Sequence, residues 1–219
     1  MSTIFNREKR ALNKKLKKER MERILKAAHR VFLRFPYFEV SMDSIRKIAD
    51  VPQGRAEMYF GTREDLFLQV LVRASRSWTD DTEAALMASE GELEPSRVSE
   101  IITDSITEHA DFFRLRALLP MVLEQRLEMT SIMEVTTGMT GHISRLAETI
   151  SHRCPQIRVA AAHRLLMLLG AYASSLHEAA HESTAMNRLW NSSDSSGLQL
   201  DFSSELEILT DTLVGQAVS

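Results

Sequence analysis

Two stretches of this chain carry residue types at spacings that could do chemistry, and the chemistries differ. The first is His177-Glu178-Ala179-Ala180-His181, an H-E-x-x-H pattern. On a helix its two histidines share one face and can hold zinc, while the glutamate is placed to act as a base. A hydrolase of this kind needs a third ligand, for which Glu182, Glu205 and Glu207 are nominal candidates. The plainer reading is that both histidines cap the polar end of a helix devoted to packing. The second stretch is Ser41 to Arg63, SMDSIRKIADVPQGRAEMYFGTR. Ser41 and Asp43 suit a helix start, and Ile45 and Ile48 follow at helical spacing. Asp50 offers a turn, because Asp tolerates left-handed backbone. A second short run, Gln53 to Phe60, follows Val51 and Pro52, with Gly54 near its start. Two short helices joined by a tight turn form a helix-turn-helix, whose second helix enters the major groove of DNA; any corner of an all-helical core could carry the same pattern.

The distribution of charge separates the two chemistries. The net charge is −3, but residues 1–70 carry sixteen Lys/Arg against nine Asp/Glu, a balance of +7, and the rest of the chain carries −10. A basic head on an acidic body brings one end only toward a polyanion. The basic head contains the candidate helix-turn-helix; the H-E-x-x-H pattern lies in the acidic body. No phosphate-cradling glycine loop, nucleophile elbow or CxxC pair occurs, so the sequence implies no cofactor and no enzyme beyond the zinc alternative. The lone cysteine, Cys154, cannot form an internal disulfide, and a reducing cytoplasm suits it. No run of about 18 or more apolar residues is present, so no membrane span is expected. The N-terminus lacks the apolar stretch of a secretory signal.

The elements that must position these groups read as helices throughout. Ile24, Leu25, Ala28, Val31, Phe32 and Phe35 define the apolar face of a first helix that stops before Pro36. The basic run ahead of it (Arg7, Lys9, Arg10, Lys14, Lys15, Lys17, Lys18) either lies along phosphates and reaches a minor groove or is a disordered, solubilising tail. Thr62 and Asp65 form a capping pattern at the start of a long helix with Leu66, Phe67, Val70, Leu71 and Ala74 as its stripe. Beyond a loop at ASEGELEP, helical spacing returns over residues 96–110. An apolar cluster from Phe112 to Leu123 broken at Pro120 follows, then a helix buried along Leu127, Met129, Ile132, Met133, Met139, Ile143, Leu146 and Ile150. Pro155 is suited to start the next helix, whose residues 157–176 are apolar almost all round. A Ser/Asn/Asp-rich connection precedes a last amphipathic helix with Phe202, Leu206, Leu209, Leu213 and Val214.

The segment from Ile24 to Leu71 resembles the N-terminal domain of the TetR family of transcriptional regulators. The pieces that carry the likeness are Ala27-Ala28 through Phe32, then Ser41-Met42 with Ile45, Val51 and Gly54, then Tyr59-Phe60-Gly61-Thr62-Arg63-Glu64-Asp65-Leu66. They cover under a quarter of the chain, but their spacing is specific. The resemblance implies an all-α protein: a basic extension over 1–20, a three-helix DNA-binding domain over 21–68, and a helical bundle over 69–219 for ligand binding and dimerisation. It implies that Ser41 touches a phosphate, that Gln53, Gly54, Arg55, Glu57 and Tyr59 lie where family members meet bases or phosphates, and that Arg63, in place of the usual lysine, clamps a phosphate. Arg46, where the family tends to have a small residue, is either an added contact or a solvated surface residue.

Two positions depart from the family pattern in a way that matters. Glu57 stands where tyrosine is usual, and a carboxylate beside phosphates is repulsive; it accepts a bond from a cytosine amino group, is neutralised by Arg55 or Arg63, or weakens binding. Arg55, in place of the usual threonine, can supply the offsetting charge. The resemblance further implies a homodimer paired through the 157–181 and 202–216 helices and a repressor released from a palindromic operator by a small apolar or amphipathic effector. For the effector pocket, Met121, Met129, Met133, Met139 and Met167 are candidate adaptable walls, with His142, His163 and Tyr172 as orienting groups, against the plainer reading that all are ordinary core.

Overall fold

A computed structural model describes residues 2–120, 128–180 and 200–218. Among the described residues every regular element is helical. Helix α1 (Ser2–Arg34) is unbroken through the basic run, so the extension continues the first helix as one rod. Its start is rich in Lys, Arg, Glu, Leu and Ala, which favour helix without any packing partner. Residues 12–19 are all exposed, Leu12 at 57%. The apolar period begins only where a core exists, at Ile24. The helix ends just before Phe35-Pro36, and Phe35 itself is largely exposed rather than part of the buried stripe.

A single 3-10 turn (Tyr37–Glu39) leads to α2 (Met42–Ala49), α3 (Arg55–Phe60) and α4 (Arg63–Ala88). Then come α5 (Pro95–Glu108), α6 (Ala110–Leu118), α7 (Met129–Arg153), α8 (Val159–Ala180) and α9 (Phe202–Val218). The chain forms two compact units, Met1–Val70 and Leu71–Ser219, and the division falls within α4. In the first unit Ile24, Ala28, Val31 and Phe32 of α1 meet Ile45 and Ala49 of α2, Ala56 and Phe60 of α3, and Leu66, Phe67 and Val70 of α4, all buried. Phe32 and Tyr37 both stand edge-on to Phe67, with ring centroids 5.8 and 5.1 Å away. Each large apolar side chain removed from water here stabilises by about 1.5–3 kcal/mol before entropy is counted.

In the second unit Trp78 of α4 stacks on Phe112 of α6 at 5.5 Å and meets Phe113 edge-on at 5.2 Å. Hydroxyl bonds from Thr82 to Ser105 and from Ser99 to Asp211 tie α4 to α5 and α5 to α9. Helix α8 buries Ala162, Leu165, Leu166, Leu169 and Ala173 and packs against α6, α7 and α9. Its 22 residues, with a mean hydropathy of 1.3, make it the one described helix long and apolar enough to cross a membrane. His163 and Arg164 interrupt its apolar stretch, and it packs against three neighbours while leaving Val159, Met167 and Tyr172 exposed.

Two boundaries differ from the sequence expectation. Pro155 sits in a turn, and α8 starts later, at Val159. The early part of α7 leaves Met129 and Met133 exposed at 69% and 62%; its buried stripe is Val135, Leu146, Ala147 and Ile150. Residue 127 lies outside the described residues. On α9 the buried positions Leu206, Thr210 and Val214 recur every fourth residue, with Leu209 and Leu213 half-buried beside them.

Candidate functional site

The helix-turn-helix is built by local hydrogen bonds. Ser41 caps α2: its Oγ accepts from the Ser44 N–H at 3.1 Å, and Ser44 Oγ accepts from the Ser41 N–H at 3.2 Å. This is a reciprocal capping box with serine in the place of the usual Glu or Gln. Asp50 ends α2 in the left-handed region, φ 50°, where a short polar side chain is tolerated. Gly54, also left-handed at φ 71°, turns the chain into α3. The expected run from Gln53 is therefore shorter as a helix: Gln53 and Gly54 belong to the turn, and α3 begins at Arg55. Ala56 and Phe60, one turn apart, anchor α3 in the core. Gln53, Glu57 and Met58 are exposed, and Arg55 and Tyr59 are half-buried.

The cations around α3 have distinct surroundings. Arg55 lies 5.9 Å from the Tyr59 ring, and its Nη1 is 3.6 Å from Met58 Sδ. Lys17 of α1 approaches the same ring at 5.9 Å, so the basic rod runs beside α3. Arg46 donates to Asp43, with Nε at 2.9 Å from Oδ1, and Lys47 pairs with the same carboxylate at 2.8 Å. Those bonds from Lys47 and Arg46 hold the Asp43 carboxyl below its ordinary range. Arg63 is the most committed of the set. It donates to the Val40 carbonyl at 2.9 Å and to Glu64 at 3.0 Å, and its guanidinium carbon lies 4.4 Å from the centre of the Tyr37 ring. Tyr37 in turn donates to Glu64 at 3.2 Å. Burial works to raise the Glu64 pKa, but the Arg63 bond, a backbone bond and the Tyr37 bond together leave it below the ordinary value. Burial, opposed by the charge of Arg63, pushes the Tyr37 hydroxyl up to about 12. The position that the resemblance gives to a phosphate clamp is thus an internal tie in this structure. Arg55 and Arg63 are engaged with other groups, and neither neutralises Glu57.

The second unit holds a cavity of about 710 Å³. Ser75 and Trp78 of α4, Phe112 and Arg116 of α6, Thr136, Met139, Thr140 and Ile143 of α7, and α8 from Leu166 to Glu178 form its walls. Of the residues expected to line an effector pocket, the structure brings Met139 and Met167 to the wall. Met133 and Tyr172 are exposed, and His142 and His163 are half-buried away from the lining. Met121 lies outside the described residues. Burial and then the charge of Arg145 lower the His142 pKa, against a smaller opposing effect of Asp80. Sequence reasoning missed Ser75, Trp78, Phe112 as a wall, and Arg116 altogether. Arg114 and Arg116 alternate with Leu115 in the apolar cluster that begins at Phe112, so spacing alone did not single out Arg116.

The H-E-x-x-H pattern is placed only in part. His177 is buried near the end of α8, its ring edge-on to Phe202 of α9 at 5.7 Å. Glu178 is exposed at the edge of the cavity, and His181 and Glu182 lie outside the described residues. Glu205 is half-buried and Glu207 exposed on α9. Among the described residues no three His, Cys, Asp or Glu side chains gather as a metal site. Packing of α8 on α9 is a sufficient physical reason for His177.

The chain thus carries a capped helix-turn-helix in its first unit and a cavity-bearing helical bundle in its second. The family described as tetracyclin repressor-like, C-terminal domain, matches residues 72–216, about two-thirds of the chain. This chain belongs to the TetR family of transcriptional regulators. Solved structures share the fold. A protein from Mesorhizobium loti assigned to TetR-family regulators is 17% identical, with a TM-score of 0.58 over 91% of this chain and 95% of its own. A TetR regulator from Rhodococcus sp. RHA1 gives 15% and 0.54 over 90% and 96%. The fatty acid degradation regulator FadR from Bacillus halodurans gives 15% and 0.53 over 90% and 95%. No curated protein matches the chain in sequence. Members of the family bind DNA and dimerise.

Proposed function

We propose that this regulator is a cytoplasmic homodimeric repressor that places α3 in the major groove of a palindromic operator and leaves it when a small effector fills the cavity of the second unit. The observation that carries the DNA half is the split of α3. Ala56 and Phe60 anchor it, while Gln53, Glu57 and Met58 face solvent and Arg55, Tyr59 and Lys17 cluster beside them. Ser41 at the α2 cap, Gly54 before α3 and Arg46 on α2 complete the proposed contact set, whereas Arg63 supports it from within. One such helix reads a half-site, and two held about 34–36 Å apart read a palindrome. For the dimer, α8 and α9 leave Val159, Tyr172 and Ile208 exposed at 46%, 49% and 63%, an apolar supply that a second copy covers. The cavity gives the effector a place, and a ligand acts there by binding one separation of the two heads better than another. The protein works in this reading by binding, without catalysis; no observation favours the zinc hydrolase.

Selection of duplexes from a randomised pool by the purified protein, followed by mapping on the genome, tests the reading. A palindromic site bound in dilute salt is the expected result. Arg55→Ala then weakens that site about tenfold and lowers the salt slope by about one ion. Failure to prefer any duplex over random competitor ends the proposal.

A further inference from the structure

The cavity contains a cation whose charge no described residue matches. Arg116 rises from α6 into a wall made largely of Trp78, Phe112, Met139, Ile143 and Leu166. Its Nη1 donates to the Gly170 carbonyl at 2.6 Å and reaches Ser174 Oγ at 3.3 Å. Among the described residues no carboxylate pairs with it, and burial alone lowers its pKa. A guanidinium has five N–H donors and no acceptor, so the Nε–Nη2 edge is left over. Gly170 packs against the face of that group: a Cβ there would lie 3.5 Å from Cζ and 3.7 Å from Nε and Nη2.

Two more buried donors belong to the same cavity. Among the described residues Ser75 Oγ and Trp78 Nε1 have no hydrogen-bond partner, and their residues are 0% and 1% exposed. They sit one helical turn apart on α4, and Trp78 stacks on Phe112, which is itself one turn before Arg116 on α6. A buried polar atom left unpaired costs about 1–3 kcal/mol. Two such atoms and a half-used guanidinium on one cavity wall are explained together by a molecule that supplies acceptors.

We infer that the cavity takes an amphipathic monocarboxylate, whose carboxylate is received by Arg116 with Ser75 and Trp78 and whose aliphatic tail lies against Met139, Ile143 and Leu166. The planar Nε–Nη2 fork matches two carboxylate oxygens. A single cation calls for a single negative charge. The rest of the wall is mainly apolar, with the Thr136, Thr140 and Ser175 side chains among it, and the cavity volume is that of a site for a drug-sized molecule. Glu178 does not compete for the head. It is exposed, and eight residues separate it from Gly170, roughly 12 Å along the helix. Its charge at that end disfavours the reverse orientation. The inference rests on the effector reading and gives that site its ligand class.

The test is calorimetry on the full-length protein with decanoate, dodecanoate and tetradecanoate, each below its micelle concentration, and with the alcohols of the same lengths. At least one acid binds more tightly than its alcohol. Arg116→Met weakens that acid about 10- to 100-fold, as loss of one charge-assisted pair requires, and leaves the alcohol unchanged. Trp78→Phe keeps the stack, removes one donor, and weakens the acid alone; it carries the test if Arg116→Met does not fold. Acid and alcohol binding alike, no acid binding, or an acid affinity indifferent to both substitutions overturns the inference. Operator release is read separately. If neutral or cationic apolar compounds release DNA and the acids do not bind, the effector reading stands and the carboxylate falls. If an acid binds through Arg116 and DNA is retained, the carboxylate site stands and the effector reading falls.

Discussion

Arg63 in the first unit and Arg116 in the second are both arginines partly withdrawn from water, and they end in opposite states. Arg63 meets a carboxylate at 3.0 Å, a carbonyl at 2.9 Å and an aromatic face at 4.4 Å. Arg116 meets one carbonyl and one hydroxyl, and no acid among the described residues. Desolvating a charge is costly unless partners replace the water. A tie that holds a fold is therefore matched in charge, as Arg63 is by Glu64, whereas Arg116 has no acid against it among the described residues. The difference assigns one arginine to architecture and the other to a ligand.

The largest test of this contrast is Arg63→Ala, which removes the guanidinium bond from Glu64, itself 7% exposed. A loss of about 2–3 kcal/mol in denaturant unfolding is expected. Glu64→Gln comes next, at about 1–2 kcal/mol near neutral pH, because an amide keeps the shape and loses the charge. It also changes the acid limb. The Glu64 carboxyl is held below its ordinary value in the fold, so its contribution is present above the unfolded carboxylate pKa and is lost as pH falls through the folded one. Stability measured against pH should therefore fall less steeply at acid pH in the variant. Tyr37→Phe is smaller, about 0.5–1.5 kcal/mol for one hydrogen bond. With the folded hydroxyl raised from 10.0 to about 12, its contribution is present below the ordinary tyrosine value and is lost as pH rises toward 12. The Phe variant should lack that alkaline loss. An unchanged alkaline limb would remove Tyr37 from the tie.

What could be read from the sequence follows the same division. The all-helical class, the cap at Ser41, the turn at Asp50 and the box at Thr62–Asp65 are local matters, decided by residues three or four apart, and each stands in the structure where the residues put it. The family likeness was likewise visible in residues 24–71, while the family match over 72–216 rests on a pattern too diffuse to read from spacing. The cavity was harder because four helices far apart in sequence converge on it. Met139 and Met167 were visible as flexible apolar residues, but Arg116 looks like any surface cation between Leu115 and Ala117. Its partner is the carbonyl of Gly170, 54 residues away, and no periodicity announces such a pairing. For Arg63 the spacing suggests a phosphate clamp and is silent on the buried acid and tyrosine ring that the structure sets beside it.

The smallest expected effect is also the sharpest, because it is close to zero. Arg116→Met removes a guanidinium whose burial is not offset by an acid and replaces it with an unbranched apolar side chain of the kind already lining the cavity. The carbonyl left behind is not orphaned: Ser174 Oγ donates to the Gly170 oxygen at 2.9 Å. Lost hydrogen bonds and relieved desolvation then nearly cancel, and replacing buried charges by apolar groups is often neutral or stabilising. Unfolding free energy in the absence of ligand should stay within about 1 kcal/mol of the parent. A loss comparable with that of Arg63→Ala would make Arg116 another structural tie, and the contrast between the two arginines would dissolve. A near-silent variant that no longer responds to a carboxylate would mean the charge is kept in the cavity for its ligand, since the fold has no need of it.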